Sequence, residues 1–206
     1  MTNIIPVNLA VEDLLSEAVL RGMLKQSGRP YAVGACFSSR GFGYLKKKLE
    51  GFNHASKGTP FLVLTDLDQS ECAPILIKEW LPYPQEKNLL FRVAVKAVEA
   101  WVLADRQAAA GFLSVPETQI PLTPDEIDNP KRFLINLAAK SRKKEVRESI
   151  VPPIKSSAAI GPDYNGKLTE FVQGSWRVKE AMKNSPSLKK AFQAILSFSP
   201  RYPKDR

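Results

Sequence analysis

Apolar and polar positions along this chain follow two periods, and the switches between them mark its elements. Ile4 to Val11 is rich in Ile and Val and alternates weakly, as a strand does, with Pro6 near its start. Leu14, Leu15, Ala18, Val19, Gly22 and Met23 then recur at helical spacing, so Asp13 to Gln26 reads as an amphipathic helix N-capped by Asp13. Ser27-Gly28-Arg29-Pro30 stops it, and Tyr31 to Phe37 reads as a second strand. A small-residue loop, Ser38 to Gly43, leads into a helix over Tyr44 to Phe52. The sharpest signal is Pro60 to Gln69, PFLVLTDLDQ. Phe61 to Thr65 is an unbroken apolar or β-branched run, the mark of a strand covered on both faces.

Further on, SECAPILIKEWL reads as a helix capped by Ser70, Leu89 to Val95 as a fourth strand, and Lys96 to Gln107 as a helix. Strands alternating with helices predict an α/β fold with a parallel or mixed sheet covered on both sides. After Gly111 the prolines 116, 121, 124 and 130 punctuate a loop-rich stretch. Helices are expected over Lys131 to Arg147, Lys167 to Asn184 and Ser187 to Phe198, the last capped by Ser187. The expected organisation is an α/β core over 1–113 and a helical, basic extension over 114–206 packed on it.

Composition narrows the function classes. The chain has 206 residues, 30 Lys+Arg against 21 Asp+Glu, and a net charge of +9. Such a balance favours a polyanionic partner, nucleic acid first among them. No apolar run approaches the ~20 residues that span a bilayer. The start, MTNIIPVNLAVED, lacks the basic stretch of a secretory signal. Cys36 and Cys72 are too few for a disulfide framework or a zinc cage, so a cytoplasmic protein with reduced thiols is expected. His54 is the single histidine and lies in a polar stretch, GFNHASKG, which excludes paired-histidine metal sites.

The candidate chemistry is acidic. Glu12 follows the first strand, and Asp66 and Asp68 close the third. The carboxyl ends of neighbouring parallel strands lie side by side, where open α/β sheets place their ligands. Three carboxylates there repel one another unless a cation joins them, and Mg²⁺ or Mn²⁺ suits an all-oxygen donor set. Glu12 either completes that site or serves as general acid or base. Taken singly, each acid also reads as a strand-end residue in a solvated turn or as a cap. Ser39 and Arg40 belong to a loop whose amides can cradle a phosphate, or which only connects two elements. Basic runs at Lys46, Lys47 and Lys48, at Arg142, Lys143 and Lys144, and at Lys189-Lys190 form either solvated faces or a track for a nucleic-acid backbone. Tyr164 reads as an anchor of the helical part on the sheet, or as a base-stacking platform.

The Glu after the first strand and the Asp-x-Asp after the third resemble the Toprim fold, a Rossmann-like, mostly parallel sheet. The resemblance is closer to one branch, small bacterial and phage proteins found beside an ATPase of the OLD or ABC-type class in phage-defence loci. It is carried by VEDLLSEAVLRGML, LVLTDLDQSEC, RVAVKAVEAWVLADRQAAAGFL, GPDYNGKLTEFV and SPSLKKAFQAI, in order along most of the chain. It implies a metal-dependent nuclease, an ATPase partner, Glu12, Asp66 and Asp68 as metal-site acids, and Glu99, Trp101 and Asp105 as a branch signature. Glu99 and Asp105 are taken as candidates for a supporting role around the metal acids. Asp13 stands where many Toprim proteins carry Gly. Two other readings of the same residues remain. LVLTDLDQS also fits the Asp-x-Asp-x-Ser of haloacid-dehalogenase phosphatases, with Asp66 as nucleophile. A non-catalytic module that binds nucleic acid or the ATPase is the third.

Overall fold

The computed structural model describes residues 4–38 and 42–201. Strands β1 (Ile5–Val11), β2 (Tyr31–Phe37), β3 (Phe61–Asp66) and β4 (Leu89–Ala94) form one sheet in the order β2-β1-β3-β4. Every pairing is parallel. The uninterrupted apolar run of β3 has its predicted cause, because Phe61 to Thr65 are buried throughout. Leu62 and Leu64 face one layer of helices, and Phe61 and Val63 face the other. Burying such side chains contributes roughly 1.5–3 kcal/mol each. β2, an edge strand, is only partly covered.

Helices close both faces. α1 (Leu14–Gln26) packs against the face of Leu9, Val11, Leu62 and Leu64. Its predicted N-cap is present, since the Asp13 carboxylate accepts from the Ser16 amide at 2.8 Å. α2 (Phe42–Ala55) and α3 (Ala73–Trp80) cover the opposite face through Leu45, Leu49, Leu76 and Trp80. α3 starts later than predicted. Cys72 is its cap position, with no side-chain hydrogen bond, while the Ser70 amide closes a turn on the Leu67 carbonyl.

Beyond β4 the chain is helical: α4 (Val98–Ala104), α5 (Arg106–Leu113), α6 (Pro130–Ala139), α7 (Lys144–Ile150), α8 (Tyr164–Gly174), α9 (Val178–Asn184) and α10 (Pro186–Ser197), with 3-10 turns at Glu117–Gln119 and Pro124–Glu126. Residues on either side of 113/114 share one apolar cluster, from Leu9 through Trp101 to Phe192. The extension is therefore continuous with the core of the α/β part.

Three predicted helices are each broken in two, and a tertiary contact lies at two of the breaks. Lys96 to Gln107 is interrupted at Asp105, whose ψ of 72° leaves the helix while its carboxylate caps α5 at the Ala108 amide. Lys167 to Asn184 is interrupted at Trp176 and Arg177. There the Trp176 indole donates to the Trp101 carbonyl and Arg177 pairs with Asp105. Lys131 to Arg147 is interrupted around Ser141, whose hydroxyl accepts from the Lys143 amide and whose carbonyl accepts from Arg147. The last helix is capped by Ser185, which accepts from the Leu188 amide at 3.1 Å, with Pro186 in its first turn. Ser187, the predicted cap, instead accepts from the Trp101 indole at 2.6 Å.

Candidate functional site at the carboxyl end of the sheet

In the order β2-β1-β3-β4, the chain runs to one side from β1 and to the other from β3. The switch point of the sheet thus lies between the carboxyl ends of β1 and β3, where such folds bind ligands. Glu12 and Asp66 flank that point. One Glu12 oxygen accepts from the Thr65 hydroxyl and, at 3.0 Å, from the Asp66 amide. Asp66 accepts from the Val98 amide at 2.9 Å, which ties β3 to the start of α4. Asp68 follows in the left-handed region, φ 47°, which Asp tolerates better than most residues. The Leu67 and Asp68 amides both donate to the Lys96 carbonyl at 3.0 Å, so the ends of β3 and β4 are stitched together.

Glu99, on the first turn of α4, is brought into the same group. Its side chain is 1% exposed. One oxygen accepts from the Tyr164 hydroxyl at 2.8 Å and lies 3.6 Å from the Lys131 ammonium. Its other oxygen, Oε2, is buried with no hydrogen-bond partner among the described residues. An unsatisfied buried acceptor of this kind costs roughly 1–3 kcal/mol, more for a charged group, and calls for an explanation.

The electrostatics follow from this crowding. Burial pushes the Asp66 carboxyl well above the usual range, and Glu99, Glu12, Asp13 and Asp68 push it further in the same direction. Glu99 is also raised, by burial, although Lys131 and Tyr164 work against the shift. Burial raises Glu12 too, against its bonds to Thr65 and Asp66. Burial lowers Lys131, but Glu99, Asp13 and Asp66 outweigh it and hold the ammonium above its ordinary value. The group is thus short of positive charge, and a cation would relieve it.

A cleft of about 220 Å³ opens beside these acids, lined by Asp66, Asp68, Lys96, Asp128, Asn129 and Lys131, among others. Its walls carry opposite charge. The β3 end is acidic, whereas Lys96 and the start of α6 are basic; Lys96 is also paired with Asp128 at 3.0 Å. Among the described residues, no group of three or more acids, histidines or cysteines stands placed to hold a metal ion. Glu12 is turned to β3 and does not line the cleft. The donor set still fits a hydrated hard cation, which needs one or two carboxylates and keeps several waters. Asp66 and Asp68 offer such oxygens from the cleft wall, and the unpartnered Glu99 Oε2 belongs to the same charged group.

The other predicted residues divide. Asp105 is equally buried but satisfied: the Arg177 guanidinium donates to its two oxygens at 2.7 and 2.9 Å, and the Arg177 and Ala108 amides add to these. Trp101 is buried in the core. Ser39 and Arg40 lie outside the described residues. Lys46 pairs with Glu79, Lys144 with Glu148, and the Lys143 ammonium donates to the carbonyls of Gly111 and Phe112 at the end of α5. Lys47 and Arg142 are exposed. Lys46 and Lys47 lie on α2, which packs into the apolar cluster of Phe61 and Val63, whereas Lys144 opens α7, whose Val146 and Ile150 join the other cluster.

Lys131 and Lys96 escaped the sequence reading. Lys131 had one usable signal: a lysine directly after Pro130 stands in the first turn of a helix, where the backbone dipole disfavours positive charge. Such a placement needs nearby acids to offset it, and Glu99 and Asp66 supply them.

Searches of protein-family models, curated proteins and solved structures return no match to this chain. The class the coordinates define is an α/β protein with a four-stranded parallel sheet flanked by helices. Among the described residues, no helix is long and apolar enough to cross a membrane.

Proposed function

We propose that this chain is a Toprim-like nuclease that uses Mg²⁺ or Mn²⁺ to cleave phosphodiester bonds in nucleic acid, as its sequence resemblance implies. The observation that carries the reading is the acid group at the switch point: Asp66 and Glu99 interact while buried, with an oxygen of Glu99 unpartnered, beside an open cleft. Asp66 and Glu99 would hold the cation, with Asp68 at the mouth of the cleft. The ion, when bound, supplies charge neutralisation at the phosphate and a more acidic water.

The chain's own residues supply the rest. Lys131 keeps its proton because acids surround it, so it binds a phosphate oxygen as a point charge and does not act as a base. Burial raises the Glu12 carboxyl above its ordinary value, but the side chain is turned to β3 and lies off the cleft, so its part is to position the end of that strand. Its bonds to Thr65 and the Asp66 amide hold the end of β3, and Asp66 with it, in place. Lys96 and Lys131 on one wall of the cleft offer a polyanion a path to the acids on the other. By the same resemblance, an ATPase of the OLD or ABC-type class is the proposed partner, in phage defence in the cytoplasm.

The deciding experiment is nicking of supercoiled plasmid, and in parallel cleavage of RNA, with Mg²⁺ or Mn²⁺, with and without the ATPase. Cleavage that vanishes in Asp66→Ala supports the reading. The placement of Glu12 against β3, off the cleft, favours a second one, a non-catalytic module that binds nucleic acid or the ATPase. That reading takes over when neither substrate is cut and binding survives in Glu12→Ala and Asp66→Ala. Turnover of a simple phosphomonoester without nucleic acid would instead point to a phosphatase.

A further inference from the structure

The segment GPDYNG, at residues 161–166, is closely packed at both of its glycines. A Cβ on Gly161 would lie 2.3 Å from the Ser149 carbonyl oxygen and 2.5 Å from the Ile150 carbonyl carbon, so only glycine lets this turn rest on the end of α7. The Gly161 amide donates to the Ile150 carbonyl and the Asp163 amide to the Ser149 carbonyl, both at 3.0 Å. A Cβ on Gly166 would meet the Asp163 carboxylate at 2.0 Å. The turn therefore fixes where α8 begins, and α8 begins with Tyr164.

Tyr164 is 1% exposed, and its hydroxyl donates to Oε1 of Glu99. The Lys131 ammonium approaches the same oxygen. Both partners of Glu99 therefore converge on Oε1, and Oε2 is left without one.

We infer that Tyr164 is a positioning residue: its hydroxyl holds Glu99 Oε1 so that Oε2 stays free for the cation that Glu99 shares with Asp66. The inference rests on the metal-dependent reading above. It gives the helical part beyond residue 113 a share in the site, delivered from α8. Partners of this kind, which orient a ligand without touching the metal, typically alter affinity by about 10–100-fold.

The test is Mn²⁺ binding to the full chain by calorimetry, with melting followed in parallel, for the wild type, Tyr164→Phe and Leu168→Ala. Leu168 is buried one turn further along α8, so its truncation loosens the helix with the hydroxyl in place. Tyr164→Phe is expected to melt cooperatively and to bind Mn²⁺ about tenfold more weakly or worse, and Leu168→Ala to melt lower with wild-type affinity. Equal affinity in Tyr164→Phe and the wild type overturns the inference while leaving the metal site standing. A matching loss of affinity in Leu168→Ala also overturns it, because packing then accounts for the effect. If Tyr164→Phe does not fold, the Leu168→Ala affinity decides alone, in the same sense. A wild type that takes up no Mn²⁺ removes the metal-dependent reading itself, and the role of Tyr164 with it.

Discussion

Glu99 and Asp105 stand six positions apart in one stretch of chain, and each side chain is 1% exposed. Their surroundings are opposite. Asp105 receives the Arg177 guanidinium on both oxygens, the Arg177 amide and the Ala108 amide, so it caps α5 and ties it to the start of α9. Glu99 has two partners on one oxygen, none on the other, and Asp66 as a charged neighbour. Burial of a carboxylate is thus no mark of function by itself. What separates a structural acid from a candidate ligand is whether its lone pairs are already taken.

The sharpest way to break this contrast is activity. Glu99→Gln is expected to reduce Mg²⁺-dependent cleavage to the metal-free background, whereas Asp105→Asn leaves the rate per folded molecule close to wild type. Equal losses in a nicking assay would erase the distinction. Stability should divide the pair the other way. Asp105→Ala removes a cap and the partner of Arg177, with a melting temperature lower by roughly 5 °C. Metal-free Glu99→Gln should melt no lower than the wild type at neutral pH.

The pH dependence of stability sharpens the comparison further. The Asp66 and Glu99 carboxyls are raised in the fold from ordinary values of 3.8 and 4.5. Below about pH 4 both folded and unfolded chains hold these protons, and the groups make no difference. Above it the unfolded chain releases them first, so metal-free stability falls as pH rises, until the folded carboxyls ionise as well. Each such group contributes at most about 1.4 kcal/mol per pH unit across that window. Glu99→Gln should flatten the slope, and saturating Mg²⁺ should reverse it, as chemical denaturation from pH 4 to 8 would report. The smallest expected effect concerns the basic wall. Lys131→Met should lower the slope of log affinity against log salt for a nucleic acid by about one. An unchanged slope would take Lys131 out of contact with phosphate.

Much of the fold was legible in the sequence because its signals are local. The apolar run of β3, the helical spacing after Asp13 and the N-cap at Asp13 each depend on residues a few positions apart. Glu12 and Asp66 are 54 positions apart, and their meeting was legible by a different route, since parallel strands bring their carboxyl ends together. The burial of Tyr164 as an anchor of the helical part was legible too, but its bond to Glu99, the place of Lys131 and the break at Asp105 were not. Their partners lie 32, 65 and 72 positions away in the chain, counting Lys131 to Glu99, Tyr164 to Glu99 and Arg177 to Asp105.

By itself, then, the sequence determined the strands, the start of α1 and the acids that close β1 and β3, because hydrophobic period and capping act over a few residues. Tertiary structure decided which buried acids are satisfied. It gave Asp105 an arginine and left Glu99 Oε2 without a partner, because a carboxylate's hydrogen bonds are completed by whatever the fold packs against it.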